Sequence, residues 1–308
     1  MGAVIANDVM MDVGLAMVEP PVNTTLNPGG GSLGPGVATA TPGSMVAIYA
    51  GAIIAVGANG SANQEAVTVT SVTATTFTAT FVHSHPNTEP ITGMTFSKGL
   101  PNSPLFSQSE VLQYLSDAQN DFCLKVRPIY AVGSVTLTPG KKVYAAPADS
   151  IRVERASIVN ASANPPTAVE LYDQTQTDLD LLQYAWGTSG NNLPTGWYQD
   201  QINTQTIGFG PPPQVGSPVS LFYSQLPTGT LGILSTFLIP DPMTVAVKWR
   251  TLAVCFSKDG ETRAPDKAKF AQSLYDIIVL ASQKFLAGVD ARMRSKEETV
   301  EPLASQRM

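Results

Sequence analysis

The chain has 308 residues, of which only 14% are charged, and a formal net charge of −6; an average soluble protein carries about 25% charged residues. That length allows a full core and two domains of ~100–150 residues. The acidic balance argues against a dedicated nucleic-acid binder, which needs a basic patch, while a surface rich in neutral polar groups costs little to desolvate and suits broad protein contacts.

Residues 1–42 read as a flexible N-terminal arm. Met1 to Pro20 lacks a basic start and contains Asp8, Asp12 and Glu19, so it does not read as a secretory signal. The short apolar segment Val9 to Val18 reads as an arm for a neighbour or as a frayed terminus. The run Asn27 to Gly36 is linker chemistry, rich in Gly and Pro.

Residues 43–98 read as a small all-β module. Val67, Val69 and Val72 alternate with Thr68, Thr70 and Thr73, and Phe77, Ala79 and Phe81 alternate with Thr78 and Thr80. Two such period-two runs around Ala74-Thr75 predict a hairpin, and Met45 to Val56 supplies one or two further strands.

The helices are signalled best. Ser107-Gln108-Ser109-Glu110 is a capping box, with Phe106 and Val111 at the staple positions. Val111, Leu115, Ala118, Phe122 and Val126 then form one stripe, and Pro128 ends the helix, giving a span of about 107–127. A β domain follows over about 130–225, in roughly six short strands. Val135 and Leu137 lead into the turn Pro139-Gly140, from which Val143 and Tyr144 return. A second helix, about 241–259, opens at Asp241-Pro242 and turns Val245, Trp249, Leu252 and Phe256 to the core. A third, about 265–287, carries Phe270, Leu274, Ile277, Ala281 and Phe285 on its apolar face and stops at Gly288. Residues 289–308 form a tail of mixed charge with no apolar face. These elements predict an α+β chain: a bundle of three main helices with an inserted β-sheet or sandwich domain, plus the small N-terminal all-β domain.

Reactive constellations are scarce. His83 and His85, with Glu89, have the makings of a metal site but lack further ligands at a metal-binding spacing, so they read as two surface histidines. Asp173, Asp178 and Asp180 lack the Gly and closing Glu of a calcium loop and read as a solvated loop. Trp186, Trp197, Tyr198, Phe209, Phe222 and Tyr223 read as sheet-face aromatics before a sugar platform. Cys123 and Cys255 read as buried free thiols, with a bridge between them left open. No nucleophile–base pair, P-loop or dinucleotide motif is present, and no apolar run reaches the ~18–20 residues of a membrane span. The expectation is a non-enzymatic protein without cofactor or metal, soluble in the cytoplasm or in an assembled particle.

The order of phrases in residues 100–288 resembles the tailed-phage head-to-tail adaptors, also called connector or neck proteins. The phrases are "EVLQYLSDAQNDFC" (Glu110 to Cys123), "SVTLTPGKKVYAAPADSIRVERASI" (Ser134 to Ile158), "GWYQDQINTQTIGFGPPP" (Gly196 to Pro213), "SLFYSQLP" (Ser220 to Pro227), the Pro240-Asp241-Pro242 helix start and "CFSKDGE" (Cys255 to Glu261). The N-terminal 100 residues depart from the compact adaptors and resemble modules appended to other phage structural proteins. The resemblance implies a virion protein, made in the host cytoplasm and forming a homo-oligomeric ring, commonly a dodecamer, between the portal protein and tail or nozzle proteins. DNA would pass through its lumen without sequence-specific binding. It also implies a C-terminal tail reaching the portal, where Arg292, Arg294 and Lys296 are the expected contacts. The competing readings are a tail-tube, fibre-base or capsid-associated protein and, from another class, a polysaccharide-degrading enzyme.

Overall fold

The computed structural model describes residues 4–17, 21–27, 32–93, 106–160, 167–175, 193–200, 205–213, 215–258 and 264–298. Among these, thirteen strands in two sheets accompany four α-helices, α1 (Ala6–Ala16), α2 (Gln108–Val126), α3 (Thr244–Ser257) and α4 (Pro265–Glu298). The chain divides into two compact units: Met1–Val126 with Gly229–Met308, and Arg127–Thr228. This corrects the expected fold class. The chain is mostly β, with two large sheets, and is not a three-helix bundle carrying an inserted sheet. Caps and stripes make helices conspicuous in a sequence, whereas short strands owe their existence to partners far along the chain.

In the first unit, β1 (Val22–Thr25), β2 (Gly36–Ala40), β3 (Ile53–Val56), β4 (Glu65–Val72), β5 (Phe77–Phe81) and β6 (Pro90–Gly93) form one sheet in the order β1-β6-β3-β4-β5-β2. Period-two alternation sends Val67, Val69, Phe77, Ala79 and Phe81 inward, where they meet Val22, Ile54, Val56 and Ile91. The two end strands then meet. Leu26 bridges Pro42, Asn27 N–H donates to Thr41 O at 2.8 Å, and Gly43 N–H donates to Thr25 O at 2.8 Å. The sheet thus curls into a small barrel, which protects edges that would otherwise lie open.

Residues expected as a loose arm are therefore built in. β1 and β2 both precede residue 43, and α1 buries Ala6, Val9, Met10 and Val13. The lead-in to α1 pairs with a distant segment: Ile5 bridges Thr236, and Ala6 N–H donates to Ser235 O at 2.8 Å. Residues 28–31 of the Gly-rich run lie outside the described residues.

The same unit holds the helices. Glu110 N–H donates to Ser107 Oγ at 3.3 Å and Ser107 N–H donates to Glu110 Oε2 at 3.5 Å, closing the capping box; such a cap contributes about 1 kcal/mol. Phe106 and Val111 are fully buried beside it. α2 ends with Arg127 in the left-handed region (φ 56°), the conformation that closes many helices. α3 packs on α4, α2 and α1. α1 and α4 each pack against both α2 and α3.

The second unit is a seven-stranded sheet built from β7 (Tyr130–Thr136), β8 (Val143–Ala145), β9 (Ser150–Asn160), β10 (Thr167–Asp173), β11 (Gly196–Gln199), β12 (Thr206–Gly210) and β13 (Pro218–Gln225). The order is β7-β13-β9-β10-β11-β12-β8. Strands β8 to β13 contribute to one core: Tyr144, Val153, Ile158, Leu171, Trp197, Ile207, Phe209, Val219, Leu221 and Tyr223. The return at Pro139-Gly140 is a real turn but not a paired hairpin. β7 pairs with β13 and β8 with β12, so the two strands stand at opposite ends of the sheet. Tyr144 secures the turn, its hydroxyl accepting Thr138 N–H at 2.8 Å and reaching Lys141 O at 3.0 Å.

Candidate assembly surface

Three helices are tied together at one carboxylate. Asp121 Oδ2 on α2 receives Tyr275 OH from α4 at 2.9 Å, Arg250 Nε from α3 at 3.3 Å, and Lys125 Nζ at 3.0 Å. Burial and the neighbouring Asp121 push the fully buried Tyr275 phenol well above its ordinary range. A second tie joins the start of α2 to the end of α3, where Glu110 accepts Lys258 Nζ and, at 2.7 Å, Tyr114 OH. Burial would raise the Glu110 carboxyl, but the Lys258 and Tyr114 donors outweigh it and hold it below 4.5. Burial and that carboxylate push Tyr114 up to about 12. Gln283 Nε2 donates to Lys125 O at 2.8 Å, so α4 lies along α2 as far as its last turn. The result is a fixed platform for the outer surface of α4.

That outer surface is apolar. The residues of α4 that face its own unit are Ala271, Tyr275, Val279 and Ser282. The stripe that the sequence marks as core-facing points away instead: Phe270 is 61% exposed, Ile277 62% and Phe285 64%, with Ala281 also exposed and Leu274 half-buried. Leu280 is exposed beside them. α3 behaves similarly, burying Leu252 but leaving Val245 exposed and Trp249 and Phe256 half-buried. Trp249 meets Phe270 edge-on at 6.2 Å and extends the patch onto α3. Amphipathic spacing finds an apolar face but does not say whether the chain itself or a partner covers it. Single exposed apolar residues are ordinary, but a contiguous run of this size marks an interaction site.

α4 does not stop at Gly288. It runs on to Glu298, 34 residues in all, or about 51 Å at 1.5 Å per residue. Arg292, Arg294 and Lys296 therefore sit on a helical backbone rather than in an extended tail, and their side chains lie outside the described residues.

The remaining candidate sites resolve differently. His85 is fully buried, not on the surface: its Nε2 lies 2.7 Å from Glu65 Oε1 and its Nδ1 3.5 Å from Glu89 Oε2. Glu65 also accepts Val82 N–H at 2.7 Å and His83 N–H at 2.9 Å. Burial opposes its charge, yet those donors and His85 hold its carboxyl below 4.5. Sequence spacing missed Glu65 because it lies 20 residues from its partner. His83 is exposed, and no cluster of metal-ligating side chains occurs among the described residues. Asp178, Asp180 and Trp186 lie outside the described residues, and Asp173 is exposed at the end of β10. Trp197, Phe209 and Tyr223 are core. Phe222 faces outward, stacked on Tyr130 at 5.1 Å, beside a shallow groove floored by Ser157, Ser220 and Ala168. Cys123 and Cys255 are buried free thiols, each pushed up to about 12, by burial in both cases. Among the described residues, no helix is long and apolar enough to cross a membrane.

No curated protein matches the chain. A family model described as SU10 adaptor protein matches residues 96–296, which takes in α2, the whole second unit, α3 and α4 as far as Lys296, and leaves the barrel outside. The match covers more than half of the sequence, carries the adaptor resemblance of residues 100–288, and identifies the chain as a member of the SU10 adaptor protein family, a phage head-to-tail adaptor family of structural proteins rather than enzymes.

Proposed function

We propose that this chain is the virion adaptor that joins the portal to the tail by assembling as a closed homo-oligomeric ring, with DNA passing through its lumen. The observation that carries the reading is the exposed stripe Phe270–Ile277–Phe285 on a helix braced by Asp121. A lone subunit leaves that apolar area in water, and assembly removes it. The net charge of −6 suits a channel that repels the DNA backbone.

Arg292, Arg294 and Lys296, near the end of α4, are the proposed contacts to the portal, and the second unit is the proposed surface for tail or nozzle proteins. The mechanism is mechanical: a seated ring seals the vertex and passes on the portal's position. Purified protein mixed with purified portal and imaged by negative stain tests this reading. Rings seated coaxially on the portal are the expected result. Protein that stays monomeric and ignores the portal rejects it.

A further inference from the structure

The outer face of the second unit's sheet carries a groove of about 280 Å³. Cross-strand pairing lays Ser134, Ser220, Ser157 and Glu170 side by side on β7, β13, β9 and β10. The next row holds Val132, Phe222 and Arg155. Phe222 meets Tyr130 from one neighbouring strand, stacked at 5.1 Å, and the Arg155 guanidinium from the other, 5.2 Å from the ring centre. The ring is therefore a wall that orients Arg155, and its faces are already taken, so it does not serve as a platform for a sugar. Arg155 and Glu170 are both exposed, and neither forms an ion pair among the described residues. A groove of about 280 Å³ falls under the ~300–1,000 Å³ of small-molecule sites and suits side chains inserted by a larger partner.

From this arrangement we infer that the groove receives an extended segment of a partner protein that carries an acidic side chain and, two residues away, a basic one. Arg155 stands diagonal to Glu170, two residues along β9 from Ser157, the direct partner of Glu170. Such diagonal neighbours lie about 7–8 Å apart. Residues i and i+2 on one face of an extended chain are about 7 Å apart, so an acid and a base at that spacing meet both groups. An extended chain also offers free N–H and C=O groups to the Ser157 and Ser220 hydroxyls, whereas a helix has already paired its own. Charge selects the segment, because a neutral one would cover Arg155 and Glu170 without replacing their water. The inference rests on the reading of the second unit as the docking surface for another virion protein, and it names the chemistry of the segment taken.

Fluorescence anisotropy with four labelled peptides tests it on the full chain. The probes are Gly-Ser-Thr-Asp-Thr-Lys-Thr-Ser-Gly and the same peptide with Asn for Asp, with Gln for Lys, and with both changes. The Asp–Lys peptide is expected to bind about fivefold tighter than either singly changed peptide. Arg155→Gln is expected to erase the preference for Asp and keep that for Lys, and Glu170→Gln to do the reverse. Both positions are exposed, so both variants should keep the wild-type melting profile; Arg155→Met, which keeps a stem on Phe222, replaces the first variant if it does not. Four peptides bound alike, or none bound, overturn the inference, as does a preference for Asp that survives Arg155→Gln. Binding of maltoheptaose in place of the peptides overturns it too and assigns the groove to a neutral sugar. Rings seated on the portal by a chain without peptide selectivity leave the ring reading standing, whereas selectivity in a chain that ignores the portal upholds the groove and rejects the ring.

Discussion

The Tyr275 hydroxyl lies 2.9 Å from Asp121 Oδ2, and through that carboxylate α4 is held to α2 while Arg250 brings in α3. Tyr275→Phe keeps the packing and removes one hydrogen bond to the Asp121 carboxylate. The expected loss is about 1.5–3 kcal/mol, as for hydrogen bonds to charged groups, read from urea unfolding. A change below about 0.5 kcal/mol would mean that Asp121 is already satisfied by Arg250 and Lys125.

The barrel carries an acid-sensitive element. Glu65 has a folded-state carboxyl held below 4.5, so its charge contributes stability that is present above 4.5 and is lost as the pH falls through and below that value. Thermal unfolding of the wild type should therefore weaken steeply below pH 4.5. Glu65→Gln should be less stable at pH 7, because buried donors lose a charged acceptor, and its melting temperature should fall less between pH 6 and pH 3. Parallel curves for the two proteins would remove Glu65 from the acid response.

Tyr198 occupies the place of a missing side chain. It pairs with Gly208 across β11 and β12, and a Cβ at position 208 would stand 2.1 Å from the ring. Gly208→Ala should cost about 1–3 kcal/mol by overpacking. Combining it with Tyr198→Ala should cost less than the two single changes summed, because the clash is gone. Additive costs would show that the ring moves aside freely.

Both thiols should be silent in the native protein. Cys123 and Cys255 are buried, with pKa values pushed up to about 12, so little thiolate exists at pH 8. Alkylation at pH 8 is expected only after unfolding, when two thiols per chain react together. Rapid labelling of the folded protein would contradict the packing of α2 against α3.

The parts legible in the sequence were those written locally. Ser107, Glu110, Phe106 and Val111 specify the start of α2 within six residues, and the structure has their hydrogen bonds and burial. Period-two spacing likewise marked β4 and β5. Barrel closure was illegible because Leu26 and Pro42 are ordinary residues until they pair. The turn at Pro139-Gly140 was visible, but β7 and β8 take partners from β13 and β12, which no local signal encodes. On α4 the stripe itself was plain, while its side was not: Tyr275, Val279 and Ser282 form a weaker apolar line than Phe270, Ile277 and Phe285, yet the weaker line faces the core. The hydroxyls of Tyr275 and Ser282 hid that line, and the stronger stripe, left outside, became the candidate assembly surface.

The most direct test of the adaptor account is electron microscopy of particles from the encoding phage when this chain cannot be made. The account predicts heads and tails that fail to join, with joining restored when the purified protein is added back. Complete tailed virions assembled in its absence would contradict it.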